Sequence, residues 1–294
     1  MNQTNRTRGI LCIVISAFCF ALMNLCVNLS GDLPSVQKSF FRNLIAFLVA
    51  IAMLLKNRQP LEVHRGNILP LLLRSAFGTI GILCNFYAVD HLLLSDASML
   101  NKMSPFFAVV FSFFILKEKV TPFQALAVFV AFLGSLFVVK PSFTNMDFLP
   151  ALIGLCGGVC AGAAYTYVRK LGKLGTNSAT IVCFFSGFSC LVTLPYLLLR
   201  FHPMTWQQVG WLLGAGLAAT GGQFGITAAY CYAPAKEISV YDYSQILFSA
   251  LLGFLVFGQL PDGYSLLGYV IIIAVAILMF LYNTQRLPQK YKRG

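Results

Sequence analysis

Ten long apolar segments occupy most of the chain, and each is long enough to cross a membrane as a helix. A helix needs about 20 mostly apolar residues to cross the apolar core of a bilayer. Strands of a membrane barrel would alternate apolar and polar residues, and these segments show no such alternation. The sequence therefore predicts an all-α integral membrane protein with ten transmembrane helices, at roughly 9–29, 34–55, 67–89, 95–116, 122–140, 149–169, 177–199, 206–230, 237–258 and 263–282.

Composition excludes most other classes of protein. Of the 294 residues, 58% are hydrophobic and 10% are charged, whereas a soluble domain averages about 45–50% apolar and about 25% charged residues. An ordinary soluble enzyme, a nucleic-acid-binding domain, a disordered chain and a secreted disulfide scaffold are excluded on this basis. The nine cysteines lie in or beside the apolar segments without a C-x-x-C motif, which argues against a zinc site.

Lysine and arginine are distributed unevenly between the two sides of the predicted bundle. If the N-terminus is cytoplasmic, 15 of them lie on the cytoplasmic side, and only Lys140 and Arg200 lie outside. This asymmetry follows the positive-inside rule, so topology explains the net charge of +12. We expect a multi-pass protein of the plasma membrane, the inner membrane in a bacterium, with both termini cytoplasmic. The expected partners are lipid and a small-molecule substrate, with no nucleic acid, for a monomer or a homodimer.

The two halves of the chain resemble each other at an offset of 141 residues. The similarity is clearest where residues 98–118 align with 239–259, and there Asn101 matches Asp242. A hydropathy break between the fifth and sixth spans supports the same division.

This offset predicts a first repeat over 1–143 and a second repeat over 144–294, each with five spans. Because five is odd, the second repeat enters the membrane from the opposite side. Secondary transporters have this inverted plan, with a site near the midplane between the repeats. A relic of duplication or a channel would also explain a repeat.

Short motifs recur along the chain in a characteristic order and spacing. They are Phe41-Arg42-Asn43-Leu44, Leu73-Arg74, Phe86-Tyr87-Ala88, Asp96-Ala97, Ser104-Pro105-Phe106, Leu116-Lys117-Glu118, Gly134 and Lys140-Pro141. In these motifs nearly the whole chain resembles the drug/metabolite transporter superfamily in its EamA-type branch, which implies ten helices in two inverted five-helix repeats. The combination of Arg42 and Arg74 is similar to a subgroup whose cargoes include S-adenosylmethionine, riboflavin and acylcarnitines. Ser75, Ile246 and Gln259 depart from the family pattern.

Four ionisable residues lie deep within the predicted spans: Arg42, Arg74, Lys102 and Asp242. Such residues are costly in a bilayer, so each is a candidate functional residue. At 1.5 Å per residue, Arg42 and Lys102 lie roughly 10–12 Å below the outer face, whereas Arg74 and Asp242 lie roughly 8–10 Å above the inner face. This depth count disfavours a Lys102–Asp242 ion pair, although helix tilt would be able to bring the two residues together. A structural Arg74–Asp242 pair stays open, as does snorkelling of Arg42 and Lys102 to the outer interface.

Polar residues follow one face of the fourth and of the ninth span. The two stripes are Ser98, Asn101 and Ser104, and Ser239, Asp242 and Gln245. Hydrogen bonds between helices would explain either stripe alone, whereas their recurrence in equivalent spans favours a shared, wet cavity. Pro105 is expected to kink the fourth span beside its stripe and to mark a gate.

Tyrosines within the spans add a possible aromatic wall to this cavity, which would suit a planar or zwitterionic ligand. The full set of predicted substrate-binding residues is Arg42, Arg74, Tyr87, Ser98, Asn101, Lys102, Tyr165, Tyr230, Ser239, Tyr241, Asp242 and Gln245.

Small residues mark candidate packing faces. Cys12, Cys19 and Cys26 are spaced by seven and share one face of the first span. Glycines spaced by four occur at Gly154, Gly158 and Gly162, at Gly210 and Gly214, and at Gly221 and Gly225. Such faces let helices approach closely, and we expect close packing within the monomer, with a dimer face or a sliding interface as the alternative.

These observations predict a secondary transporter for a small organic metabolite that bears a carboxylate or is zwitterionic, for example amino-acid-like or S-adenosylmethionine-like. Surplus positive charge in a cavity favours such a ligand, because unpaired buried charge is unfavourable. Asp242 is the candidate proton carrier, and we expect no cofactor, metal or catalytic residue. An enzyme is disfavoured because the three histidines fall in loops and no catalytic motif occurs in the spans. The alternatives are a multidrug or amphiphile exporter, a lipid flippase and a channel.

Overall fold

The computed structural model describes residues 3–58, 61, 63–91, 100–139, 148–258 and 262–290, and within these ranges every regular element is helical. The elements are α1 (Gln3–Leu29), α2 (Ser35–Lys56), α3 (Arg65–His91), α4 (Ser104–Leu116), α5 (Pro122–Val139), α6 (Phe148–Lys173), α7 (Ser178–Leu199), α8 (Trp206–Tyr232), α9 (Ala235–Ile238), a 3-10 helix (Ser239–Tyr243), α10 (Ser244–Phe257) and α11 (Gly263–Lys290).

The ten predicted spans match these elements, which confirms the ten-helix fold. The ninth span is a composite of α9, the 3-10 helix and α10. Seven described helices, counting this composite as one, are long and apolar enough to cross a membrane, and α4 and α5 are shorter apolar helices. Residues 92–99, where the fourth span was predicted to begin, lie outside the described residues.

Local signals in the sequence set several helix ends. The Asn177 side chain accepts a hydrogen bond from the Ala179 amide and so caps α7. Thr205 and Gln208 form a capping box at the start of α8, which satisfies amides that have no partner within the helix. Gly258 adopts a φ of 66° directly after α10, and this left-handed conformation suits glycine at a helix C-terminus.

The contacts between helices of the two halves come in matched pairs. If a helix of the first half packs on a helix of the second half, the equivalent helices of the opposite halves pack on each other as well. Helix α1 packs on α8, and its counterpart in the second half, α6, packs on α3. Likewise α4 packs on α6, and α10 packs on α1, while α2 and α5 each contact their own counterparts, α7 and α11. A two-fold relation between halves produces this exchange. The packing therefore agrees with two inverted five-helix repeats.

The small residues of α1 and α8 face each other within the monomer. A Cβ added to Gly225 would lie 3.0 Å from the Cys12 carbonyl oxygen, and one added to Gly221 would lie 3.0 Å from the Cys19 Sγ. The described cysteines are all free thiols. Cys12 and Cys19 thus act as small packing residues against α8, as expected.

The glycines of α6 make an equally close contact with the start of α4. A Cβ on Gly158 would lie 2.5 Å from the Leu100 carbonyl oxygen, and a Cβ on Gly162 would lie 2.6 Å from the Phe107 Cβ and 2.8 Å from the Ala108 amide nitrogen. Both contacts join the first repeat to the second, so these glycines pack the halves together inside one chain.

We expect Gly162→Ala to lower the free energy of unfolding by about 1–3 kcal/mol, because the added methyl group meets backbone atoms that cannot move aside. Gly210→Ala is the matched control on α8, since nothing lies within 4 Å of its added Cβ. The control should be neutral or stabilising by up to about 1 kcal/mol through helix propensity. Thermal unfolding of the two purified variants measures the difference, and equal unfolding temperatures would contradict the tight packing.

Ion pairs hold the halves together at the end of the bundle where α1 begins, here named the basic end (Arg6, Glu118, Arg169, Lys173 and Glu237). The Glu118 Oε1 lies 3.3 Å from the Arg169 Nε and 2.7 Å from the Lys173 Nζ. Arg6 lies 3.9 Å from Glu237 and donates to the Phe280 carbonyl oxygen at 3.1 Å. Each ion pair joins a residue of one repeat to a residue of the other.

Candidate functional site

A polar cavity of about 150 Å³ lies between the two repeats, with room for several water molecules. The first repeat lines it with Phe20, Met23, Asn24, Arg42, Arg74, Gly78, Gly81, Ile82, Asn85, Phe86, Asn101, Lys102 and Ser104. The second repeat lines it with Ala161, Ala164, Tyr165, Phe185, Gln223, Asp242 and Gln245. Seven of the predicted site residues therefore meet here: Arg42, Arg74, Asn101, Lys102, Tyr165, Asp242 and Gln245.

Breaks in two helices place the central polar residues. Lys102 lies in the turn that precedes α4, and Asp242 lies in the 3-10 helix that precedes α10. Discontinuous helices at membrane depth are tolerated where the irregular backbone is buried in protein or lines a cavity. Transporters built from inverted repeats place polar groups of the site at such breaks.

One hydrogen bond locates these breaks near mid-depth in the membrane. The Tyr243 hydroxyl donates to the Lys102 carbonyl oxygen at 3.1 Å, and these residues are 141 positions apart. They are thus equivalent residues of the two repeats. Equivalent residues related by an axis in the membrane plane meet only where that axis passes, which is near the midplane.

The Lys102–Asp242 pair that the depth count disfavoured is present in the structure. The Lys102 Nζ lies 3.6 Å from the Asp242 Oδ2 and donates a hydrogen bond to the Gln245 Oε1 at 2.7 Å. The depth count assumed upright, continuous helices that start at opposite faces. In the structure both segments are interrupted before the helix restarts, and the long lysine stem spans the remaining separation.

Arg74 is buried against an aromatic ring and pairs with no described carboxylate. Its guanidinium carbon lies 4.1 Å from the centroid of the Phe185 ring, and only 2% of the residue is exposed. Its Nε has no hydrogen-bond partner among the described residues. Gly78 makes room for this arrangement, because a Cβ there would lie 2.7 Å from the Phe185 ring and would collide with the guanidinium.

The structural Arg74–Asp242 pair that the sequence left open does not form, since Asp242 contacts Lys102 instead. Arg42 lines the cavity rather than extending to the outer interface, and it too lies within 4.0 Å of no carboxylate in the described part of the chain. Among the described residues, the cavity wall thus contains three cationic side chains and one carboxylate. The carboxylate of Asp242 accepts no hydrogen bond from a described residue.

Several predicted site residues lie behind the lining rather than in it. Tyr230 stacks on Tyr165 with ring centroids 5.0 Å apart, and its hydroxyl lies 3.4 Å from the Ser239 Oγ. Tyr241 is buried, and Tyr87 stacks on His91 near the end of α3. Four predicted residues are therefore absent from the cavity lining: Tyr87, Tyr230, Ser239 and Tyr241. Ser98 lies outside the described residues.

The structure gives the position of Pro105, whereas the kink and the gate predicted there stay predictions. The helix α4 begins at Ser104, so Pro105 occupies its first turn. The missing amide of proline costs nothing there, and its fixed φ suits a helix start. Pro105 therefore lies in the first turn of the helix that follows the break at Lys102.

Asn24, Asn85 and Gln223 are lining residues that the sequence reasoning missed. For Asn24 the repeat offset was an available signal. Asn24 lies 141 positions before Tyr165, as Asn101 does before Asp242 and Ser104 before Gln245. Applying the offset to each predicted residue would have found Asn24. At the same offset Gln223 aligns with Ile82, which was not a predicted site residue. The buried Nε2 of Gln223 has no described hydrogen-bond partner.

The fold has ten helices in two inverted repeats around a polar central cavity. This is the architecture of a membrane transporter. The chain belongs to the EamA-like transporter family, whose model matches residues 7–140 and 148–281. These two segments are displaced by 141 residues, the same offset as the internal repeat. The family is one of transporters rather than enzymes. The predicted boundary at 143/144 lies outside the described residues and stays a prediction.

Curated relatives span the same length. The chain is 32% identical over 273 residues to the pseudopaline exporter CntI of Pseudomonas aeruginosa, covering 92% of this chain and 95% of that protein. It is 28% identical over 295 residues to a riboflavin transporter of Vibrio cholerae, covering 95% of each. A solved crystal structure superposes with a TM-score of 0.81 at 16% identity, covering 96% of this chain and 99% of that one, which supports the fold.

Proposed function

We propose that this protein is a secondary transporter that moves a small organic metabolite bearing a carboxylate, either an acid or a zwitterion, across the membrane. The observation that carries the proposal is the pair of guanidinium groups, Arg42 and Arg74, that face the cavity without a described carboxylate partner. A buried cation without a counter-ion is costly. A ligand carboxylate would satisfy both guanidiniums, because arginine binds carboxylates in bidentate geometry.

The other lining residues support a metabolite of mixed polarity, amino-acid-like or S-adenosylmethionine-like. Asn24, Asn85, Asn101 and Gln223 offer hydrogen bonds. Tyr165 offers an aromatic face for an apolar or cationic part of the ligand. The names of two relatives, a pseudopaline exporter and a riboflavin transporter, support small organic cargo.

We infer alternating access as the mechanism, with the cavity between the repeats exposed to one side of the membrane at a time. The inverted repeats and the broken fourth and ninth spans support it. The positive-inside asymmetry supports a plasma-membrane location, the inner membrane in a bacterium, with both termini cytoplasmic. Under this orientation the basic end faces the cytoplasm.

Asp242 is our candidate for proton coupling, since it is the carboxylate of the cavity wall. If transport in proteoliposomes requires this acid to titrate, Asp242→Asn should abolish accumulation driven by a proton gradient while facilitated exchange of an acidic substrate persists. An unchanged response to the pH gradient would exclude the role. The measurement is uptake with and without an imposed gradient.

The test of the function itself is ligand-induced thermal stabilisation of the detergent-purified protein against a panel of anionic, zwitterionic and cationic metabolites. A ligand that binds only the folded state raises the unfolding temperature by mass action. We expect acids or zwitterions to stabilise the wild type, and Arg42→Ala and Lys102→Ala to weaken the effect. Stabilisation only by cations or neutral amphiphiles, unaffected by these variants, would favour the alternative of an amphiphile exporter.

A further inference from the structure

The charges of the cavity are distributed unevenly between the repeats. Arg42, Arg74 and Lys102 come from the first repeat, whereas Asp242 comes from the second. At the offset of 141, the residues equivalent to these three cations are Cys183, Ala215 and Tyr243. Among the described lining residues, a cation and a carboxylate therefore come together across the interface between the repeats. This contact joins Lys102 to Asp242.

The Lys102–Asp242 contact is an ion pair without a hydrogen bond. The Lys102 Nζ donates to the Gln245 Oε1 at 2.7 Å but lies 3.6 Å from the Asp242 Oδ2. The backbone of Lys102 is held by the Tyr243 hydroxyl at 3.1 Å. Lys102 is 8% exposed and Asp242 is 6% exposed, so the two charges interact in a poorly solvated site.

The carboxylate of Asp242 consequently keeps its acceptor capacity. It accepts no hydrogen bond from the residues that the structure describes, although an ionised carboxylate has about four lone-pair sites. It also lines the cavity, so a ligand can reach it. Lys102 neutralises the charge of this carboxylate but does not satisfy its hydrogen bonds.

We propose that Lys102 is a specificity-determining residue that excludes purely cationic ligands by neutralising Asp242. This inference rests on the proposed function, in which the ligand carboxylate binds at Arg42 and Arg74. With Lys102 present, the cavity attracts acids and admits a zwitterion whose ammonium donates to the free lone pairs of Asp242. Without Lys102, the unneutralised Asp242 carboxylate binds an ammonium group that carries no carboxylate.

The experiment uses compounds in which one charged group of the amino acid is masked at a time: methionine, N-acetylmethionine, which lacks the ammonium, and methionine amide, which lacks the carboxylate, together with the corresponding glutamine and tryptophan triplets. Binding to wild type, Lys102→Gln and the double variant Lys102→Gln/Asp242→Asn is measured by thermal shift and by calorimetry. We expect at least one amide to bind Lys102→Gln at least tenfold more tightly than it binds wild type. The N-acetyl compounds should bind this variant more weakly, and the double variant should lose the gain.

Two controls separate selectivity from folding and from net charge. Lys102→Arg keeps the charge and should keep the wild-type preference, even if Lys102→Gln unfolds at a lower temperature. Lys56→Gln removes an exposed charge at the end of α2 and should change nothing.

No gain of amide binding in Lys102→Gln, or an equal gain in the double variant, overturns the inference. Failure of every acid and zwitterion to bind wild type would instead reject the proposed function.

Discussion

Arg74→Gln is expected to weaken binding of the acidic or zwitterionic ligand by about 30-fold or more, which corresponds to at least about 2 kcal/mol. Arg74 is 2% exposed and has no described counter-ion, so a ligand carboxylate would form its missing ion pair. Arg42→Gln should weaken binding less, because Arg42 is only partly buried and keeps more of its hydration. Isothermal titration against the compound that stabilises the wild type measures both losses.

The stability of the ligand-free variant separates this role from a structural one. Removing Arg74 loses the contact with Phe185, which is worth about 0.5–2 kcal/mol, but it also removes a buried charge whose burial costs several kcal/mol. We therefore expect ligand-free Arg74→Gln to unfold at the wild-type temperature or a few degrees above it. Arg200→Gln, which changes an exposed arginine, is the control for net charge. A markedly destabilised Arg74→Gln would show that Arg74 is a structural residue.

Glu118→Gln is expected to lower the free energy of unfolding by about 3 kcal/mol, because it removes the carboxylate that pairs with the buried Arg169. The two side chains are each 11% exposed and lie 3.3 Å apart. Arg169 also donates to the Cys231 carbonyl oxygen at 2.8 Å, so it cannot leave the interface between the repeats without losing a second interaction. Thermal unfolding in detergent at neutral pH is the measurement.

Lys173→Gln is the matched control at the basic end. Lys173 contacts the same Glu118 oxygen at 2.7 Å, but its side chain is 41% exposed. Solvent screens such a pair, so its loss should cost at most about 1 kcal/mol. If both variants unfold at the same temperature, the Glu118–Arg169 pair does not hold the repeats together.

Sequence alone determined the spans, the repeat and the set of ionisable residues that a cavity must accommodate. The reason is that a bilayer offers no hydrogen bonds to exposed backbone, so each crossing must be a long apolar helix that hydropathy detects. The offset of 141 followed from residue matches such as Asn101 with Asp242, and the same offset separates the two segments that match the family model. Seven predicted residues also meet in one cavity.

Tertiary structure decided which of these residues contact each other. Depth counted along upright helices separated Lys102 from Asp242, yet the breaks before α4 and α10 bring their side chains to 3.6 Å. The same breaks put Pro105 in the first turn of a helix. Arg74 lies against Phe185 rather than Asp242. Hydropathy records how apolar a segment is, whereas the partner of each polar side chain depends on where helices are interrupted and how the repeats pack.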